Sequence, residues 1–164
     1  MTRLRSAVAY EGPVEHAVHR FKYEGWRRLA IPFAQLVAER LAIEGLAAGR
    51  VIAVPLHHAR LRQRGYNQAE LLARELRRRM VLPAPKGELV RTRPTPPQVG
   101  RDRLRRFENV KDAFSWRGAG LEGESILLVD DVATTGATLD ACASALRAAG
   151  SGPVTGVSIA RVNV

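Results

Sequence analysis

The sequence predicts an α/β fold: a mainly parallel sheet flanked by helices. Two strand–loop–helix units, residues 51–80 and 125–162, carry that reading, because strands alternating with helices build parallel sheets covered on both faces. The strands "RVIAVPL" and "SILLVDD" are apolar at consecutive positions, as strands buried on both faces are. The 164 residues suit a single domain on a prior of roughly 150 residues each. It divides into a helical N-terminal part, 1–48, and an α/β core, 51–164.

The first helix is "PVEHAVHRFKYEG", with Pro13 in its opening turn and a stop near Gly25. The second, "WRRLAIPFAQLVAERLAIEG", spaces Leu29, Phe33, Leu36, Val37 and Leu41 for one face. Pro32 falls in its first turn, and it ends near Gly45. After the strand "RVIAVPL", the segment "HHARLRQRGYNQ" reads as a basic loop. Asn67 with Glu70 reads as an N-cap and capping box for a helix from about Gln68 to Met80 that buries Leu71, Leu72 and Leu76. A short strand is expected around Leu89 to Arg91, and another at "DAFSW". Between them Thr92 to Asn109 shows no strong period. Loops beyond ~12–15 residues are uncommon in compact domains unless functional or disordered, so a long flexible loop is expected there. "TLDACASALRAAG" is a helix with the stripe Leu139, Cys142, Leu146 and Ala149, capped at Gly150. "PVTGVSIARV" returns as a strand, through a right-handed crossover.

Composition narrows the function. One cysteine, Cys142, allows neither a disulfide framework nor a cysteine zinc site within the chain. No apolar run reaches the ~18 residues of a membrane span, so no membrane insertion is expected. "MTRLRSAVAYEG" lacks the apolar stretch of a secretory signal, and the expected location is the cytoplasm. The net charge is +10. Residues 60–111 hold 15 Lys and Arg against 5 Asp and Glu, while the remainder holds 11 of each. The excess therefore sits in one third of the chain, which suits a polyanion or a phosphorylated partner and equally a solvated basic surface.

The chemistry concentrates in "ILLVDDVATTGAT", Ile126 to Thr138. Small residues after a strand let main-chain amides approach a ligand, and Gly136 frees the backbone. The helix that follows offers unsatisfied N–H groups and a positive dipole end, so a phosphate is the natural guest. Thr134, Thr135 and Thr138 add hydroxyls. Asp130 and Asp131 suit hydrogen-bond donors or a divalent cation instead. A sugar phosphate satisfies both halves. The competing reading is a plain turn with a helix cap. There is no Gly-Lys-Ser/Thr of a P-loop and no GxGxxG. A second loop leaves the strand end at Pro55, Leu56, His57 and His58, with Arg60 and Arg64 beyond it. Adjacent histidines in an extended segment diverge, so His57 and His58 suit a phosphate contact better than a shared metal. His16 and His19 could share a helix face but lack a third ligand nearby. Cys142 reads as core, and Phe21, Tyr23 and Trp26 read as helix packing in preference to a base-stacking platform.

"ILLVDDVATTGAT" closely resembles the binding motif of type I phosphoribosyltransferases, which use 5-phosphoribosyl-1-pyrophosphate. "YEGPVEHAVHRFKYEG", "VPLHHARLRQRGYNQAELLA", "RTRPTPPQVGRDRLRRFENVKDAF" and "SIARV" resemble one branch, the ComF (ComFC-like) family associated with DNA uptake in competence. Gln98, Arg106, Asn109 and Phe114 fall at matching positions, so the resemblance spans about Tyr10 to Val162. Many members begin with a cysteine-rich zinc module; no CxxC is present here, so a member without that module is expected.

The resemblance implies a type I phosphoribosyltransferase-like fold in which Asp130 and Asp131 contact ribose hydroxyls. Ala133, Thr134, Thr135, Gly136, Ala137 and Thr138 would cradle the 5′-phosphate. Pro55, Leu56, His57 and His58, with Arg60 and Arg64, would take the pyrophosphate. Mg²⁺ would be held mainly through the substrate, with no dedicated protein ligand set. The Thr92–Asn109 loop becomes a lid that excludes water, with Arg91, Arg93, Arg103 and Arg106 as its cations and Arg106 in the catalytic set. Two functions stay open. One is phosphoribosyl transfer to an unknown acceptor. The other is a competence-associated role in single-stranded DNA uptake, with the fold used for nucleotide or DNA binding. The expected partners are phosphoribosyl pyrophosphate, single-stranded DNA or other competence proteins, and a second copy of the chain.

Overall fold

A computed structural model describes residues 3–92, 110 and 112–162. In chain order these form β1 (Arg3–Ala9), α1 (Gly12–Tyr23), a 3₁₀ turn (Arg27–Leu29), α2 (Ala30–Ile43), β2 (Arg50–Ala53), α3 (His58–Arg64) and α4 (Gln68–Met80). There follow β3 (Gly87–Arg91), β4 (Phe114–Gly118), β5 (Ile126–Ala133), α5 (Ala137–Ala148) and β6 (Val154–Arg161). Four strands make one parallel sheet in the order β1-β6-β5-β2. β3 and β4 form a separate antiparallel pair, in which Leu89 faces Trp116 across the register.

The helices begin and end where the local chemistry asks. Pro13 opens α1, and Pro32 sits in the first turn of α2, where a missing N–H costs nothing. The Asn67 side chain caps α4 by accepting from the amide of Ala69 at 3.0 Å. Glu70 does not complete a capping box; its carboxylate pairs with Arg77 at 2.7 Å. Two segments differ from expectation. Arg3–Ala9 is an edge strand paired with β6. His58–Arg64 is a short helix and not a loop, started by the His57 ring accepting from Ala59 N and stopped by Gly65 at φ 76°.

The pleat of the sheet sorts the core into two layers. Leu127 and Val129 face one side with Val18, Phe21, Phe33, Val37, Leu41, Leu72 and Leu76, from α1, α2 and α4. Ile126 and Leu128 face the other with Leu139, Cys142 and Leu146 of α5 and with Leu89 and Phe114 of the antiparallel pair. Phe21 is fully buried and meets Phe33 edge-on at 5.5 Å between centroids, while Tyr66 donates to its carbonyl. Phe21→Ala is expected to lower unfolding stability by about 3–5 kcal/mol, as large-to-small changes in packed aromatic cores do; chemical denaturation checks it. Among the described residues no helix is long and apolar enough to cross a membrane.

Candidate functional site

The site is built where the parallel strands end. β2 pairs with β5 only as far as Ala53 opposite Val129, and the last contact between them is Val54 N donating to Val129 O at 2.8 Å. β5 runs on to Ala133, still paired with β6. The early end of β2 therefore leaves a notch beside Asp130–Ala133. The loop Pro55–His58 leaves β2 at one wall of this notch, and Thr134–Gly136 leads from β5 into α5 at the other. Asn67 fixes the first loop at its root by donating to Val54 O at 3.0 Å.

The two aspartates are adjacent in a strand, so the pleat sends them to opposite faces. Asp131 follows the parity of Leu127 and Val129. It meets Lys22 of α1, whose ammonium lies 3.0 Å from Oδ1, with both side chains largely buried. Asp130 follows Ile126 and Leu128 toward Cys142. Withdrawal from water, with the Asp131 charge beside it, pushes the Asp130 carboxyl up to about 7. The amide of Asp131 and the charge of Lys22 oppose that rise. Burial, with Asp130 nearby, likewise holds the Cys142 thiol well above its usual range. One oxygen of each carboxylate is committed locally: Asp130 Oδ1 accepts from Asp131 N at 2.8 Å, and Asp131 Oδ1 from Val132 N at 2.6 Å. Each Oδ2 has no partner among the described residues and is available to a ligand.

At the other wall, Gly136 takes φ 81°, a left-handed conformation that a residue with a Cβ resists. It turns the chain into α5 without a side-chain cap, so α5 begins with unsatisfied amides at the notch. The Thr135 hydroxyl oxygen lies 3.4 Å from Ala137 N. Thr134 is exposed and Thr138 is half-buried.

Cations surround the β2–α3 loop: Arg60 and Arg62 of α3, and Arg91 at the end of β3. His57 is held below its ordinary pKa by desolvation first, then by the charges of His58, Arg91, Arg60 and Arg62. Its Nε2 is buried with no hydrogen-bond partner among the described residues. Buried polar atoms are nearly always paired, so this nitrogen is a candidate ligand contact. The His57 and His58 rings do not diverge: their centroids lie 4.1 Å apart, because the helix begins at His58 and turns the chain. Arg91, at the end of β3, joins this group. Its guanidinium is half-buried over the Phe114 ring at 5.6 Å, and its Nε is also unpartnered. Arg60 is exposed, while Arg64 points elsewhere, toward Tyr23 and Gln68. Arg64 thus departs from the anion group to which the sequence assigned it. His16 bonds to Gly12 O and His19 pairs with Glu24, so the two share no site.

Pro55 and Leu56 also line a cavity of about 260 Å³ on the far side of β2, with Asn67, Glu70 and Glu88. Its two carboxylates disfavour a phosphate, so the side facing Arg91 suits an anion better. Arg93, Arg103 and Arg106, and the expected lid, lie outside the described residues. Lys22 was not foreseen as a site residue. The signal was there: it follows the buried Val18 by one helical turn, so a lysine occupies the inward stripe of α1.

Fold and site together define an α/β protein with a notch at the carboxyl edge of a parallel sheet. Searched against protein-family models, the chain matches none. It is 35% identical to Competence protein F of Haemophilus influenzae over 148 residues, which is 86% of this chain and 65% of that protein. It is 29% identical to DNA utilization protein YhgH of Escherichia coli K12, and equally to that of Salmonella typhimurium, over 93% of this chain and 69% of theirs. The chain therefore spans about two thirds of the length of these curated relatives. These similarities support a ComF-family protein.

Proposed function

We propose that this chain is a phosphoribosyltransferase-type protein that binds 5-phosphoribosyl-1-pyrophosphate with Mg²⁺ in the notch beside β5. The observation that carries this is the convergence of opposite chemistries on one strand end. Two carboxylates at the end of β5, one on each face of the sheet and each with an oxygen to spare, lie between an amide-lined turn and a loop with an orphan imidazole nitrogen flanked by Arg60 and Arg91. The carboxylates accept from the ribose hydroxyls. The Thr134–Gly136 turn and the first turn of α5 hold the 5′-phosphate. His57, Arg60 and Arg91 face the pyrophosphate. Among the described residues no three His, Cys, Asp or Glu gather to cage a metal. The donor set suits an ion carried in by the diphosphate and steadied by Asp130 and Asp131. When bound, that ion supplies charge neutralisation at the leaving group. In transfer, a nucleophilic nitrogen would bond to C1′ as the C1′–oxygen bond to pyrophosphate breaks, the nitrogen's proton passing to solvent. The chain's part is positioning and electrostatic stabilisation.

Calorimetry with phosphoribosyl pyrophosphate and Mg²⁺ tests the reading directly. Saturable binding is expected, weakened about tenfold or more by Arg91→Ala through loss of a charge-assisted contact. No binding by the wild-type chain ends it. Pyrophosphate release assayed with a panel of nucleobases then separates a transferase from a binding protein.

A second reading draws on the names of the relatives, competence and DNA utilization. It gives this chain a competence-associated role in handling DNA, with the net charge of +10 as its physical support.

A further inference from the structure

The face formed by the end of α1, the 3₁₀ turn and the end of α3 carries two large aromatics that the core does not use. Tyr23 is 57% exposed and Trp26 is 49% exposed, whereas Phe21, two residues before Tyr23, is fully buried. Both exposed rings are backed by arginine. The Arg20 guanidinium lies 4.7 Å over the Trp26 ring, and that of Arg64 lies 4.7 Å over Tyr23 while donating to its hydroxyl at 3.1 Å. Arg27 lies 4.6 Å over Tyr66, whose ring anchors the patch to Phe21. His19 tilts against Tyr23 at 4.9 Å. The counter-charge among these contacts is Glu24, 3.4 Å from His19 and 3.8 Å from Arg20.

We propose that this face is a stacking platform for a single-stranded polynucleotide, with Tyr23 and Trp26 each taking a base and Arg20, Arg27 and Arg64 taking phosphates. A guanidinium packed on a ring holds that ring in place, and about half of each ring's residue surface stays exposed. Bases stack on such rings without regard to sequence, and the arginines supply the backbone term. A duplex hides its base faces, so the rings add nothing to duplex binding. α3 runs from this face to the loop at His57, which extends the positive track along Arg60 and Arg62 toward the notch. The inference rests on the DNA-handling reading and is independent of the phosphoribosyl site.

The test uses the intact chain and oligo-dT of ~15 nucleotides, close to the site sizes of single-strand binders. Tryptophan fluorescence is expected to quench on titration, and the affinity to fall as salt rises from about 50 to 200 mM. Trp26→Ala is expected to abolish the quench, since Trp116 has its indole N–H bonded to Ala119 O and its ring against the core. Read by the anisotropy of end-labelled oligo-dT, Tyr23→Ala with Trp26→Ala should weaken binding by roughly 30-fold or more, given about 1–3 kcal/mol for each of two stacked bases. Tyr23→Phe with Trp26→Phe should restore most of it. Phosphoribosyl pyrophosphate binding, read in parallel, should not change. If the wild-type chain shows no affinity for oligo-dT at low salt, the DNA-handling reading itself fails. If it binds, but the double alanine variant or duplex DNA binds within twofold of it, that reading survives and the platform is overturned.

Discussion

Asp131→Asn is expected to weaken phosphoribosyl pyrophosphate binding by at least about 100-fold in calorimetry, with the fold intact. A carboxylate accepting from two vicinal hydroxyls contributes roughly 1.5–3 kcal/mol per charge-assisted bond, and each 1.4 kcal/mol is a factor of ten. The substitution keeps the volume and removes the charge. It also strands Lys22, whose ammonium sits 3.0 Å from Asp131 with little access to water. A lost ion pair between α1 and β5 could therefore pass for a lost ligand contact. Lys22→Met separates the two. It removes the same ion pair and leaves the carboxylate, so it should lower thermal stability about as much while costing less affinity. Asp131→Asn binding within threefold of wild type would sink the assignment. So would equal losses of affinity in both variants, because the contact would then act only by holding α1 in place.

Much of this was legible in the residues. The apolar runs at Val51 and Ile126 reveal the parallel strands. The stripes of α2, α4 and α5 fall largely where their spacing puts them, with Phe33, Val37, Leu41, Leu72, Leu76, Leu139, Cys142 and Leu146 all buried, but Leu36, assigned to the α2 stripe, is exposed. The edge strand Arg3–Ala9 was not legible. "RLRSAVA" places arginines at positions 3 and 5 and buries none of its residues fully, so it shows neither the alternation of a half-buried strand nor the run of a central one. Helix α3, at seven residues, is shorter than any helix that propensity alone sustains. It exists because His57 caps it and Gly65 ends it, and Arg64 consequently swings to Tyr23. Motif spacing led the sequence reading to treat Asp130 and Asp131 as one unit. The period of two in a strand already separates them, and it explains why one carboxylate finds a lysine and its neighbour a thiol.

That separation makes the second large effect a matter of pH. Asp130→Asn is expected to raise stability at pH 8 while removing ligand binding. In the unfolded chain this carboxyl titrates near 3.8; in the fold, desolvation and the Asp131 charge push it to about 7. The folded state therefore holds a proton that the unfolded state releases between those values. Stability must fall as pH rises through that window and level off above it. The size follows from about 1.4 kcal/mol per pH unit of separation, reduced for the water that reaches a notch open to solvent; roughly 2–4 kcal/mol is expected. For a chain of this length that corresponds to a melting-temperature gain of about 5–15 °C for the asparagine variant at pH 8. The gain should shrink to a small remainder near pH 4, where the carboxyl is protonated in the fold and close to half protonated in the unfolded chain. Thermal melts of both proteins from pH 4 to 8 decide it. Parallel curves, with no narrowing at low pH, would mean that Asp130 ionises as freely in the fold as in water. With its normal acidity restored, the wild-type aspartate would carry no energetic cost for the ligand to relieve. The expected result ties the site to the fold: an ionised carboxylate held against the α5 face destabilises the empty protein, and ribose hydroxyls donating to it recover part of that loss on binding.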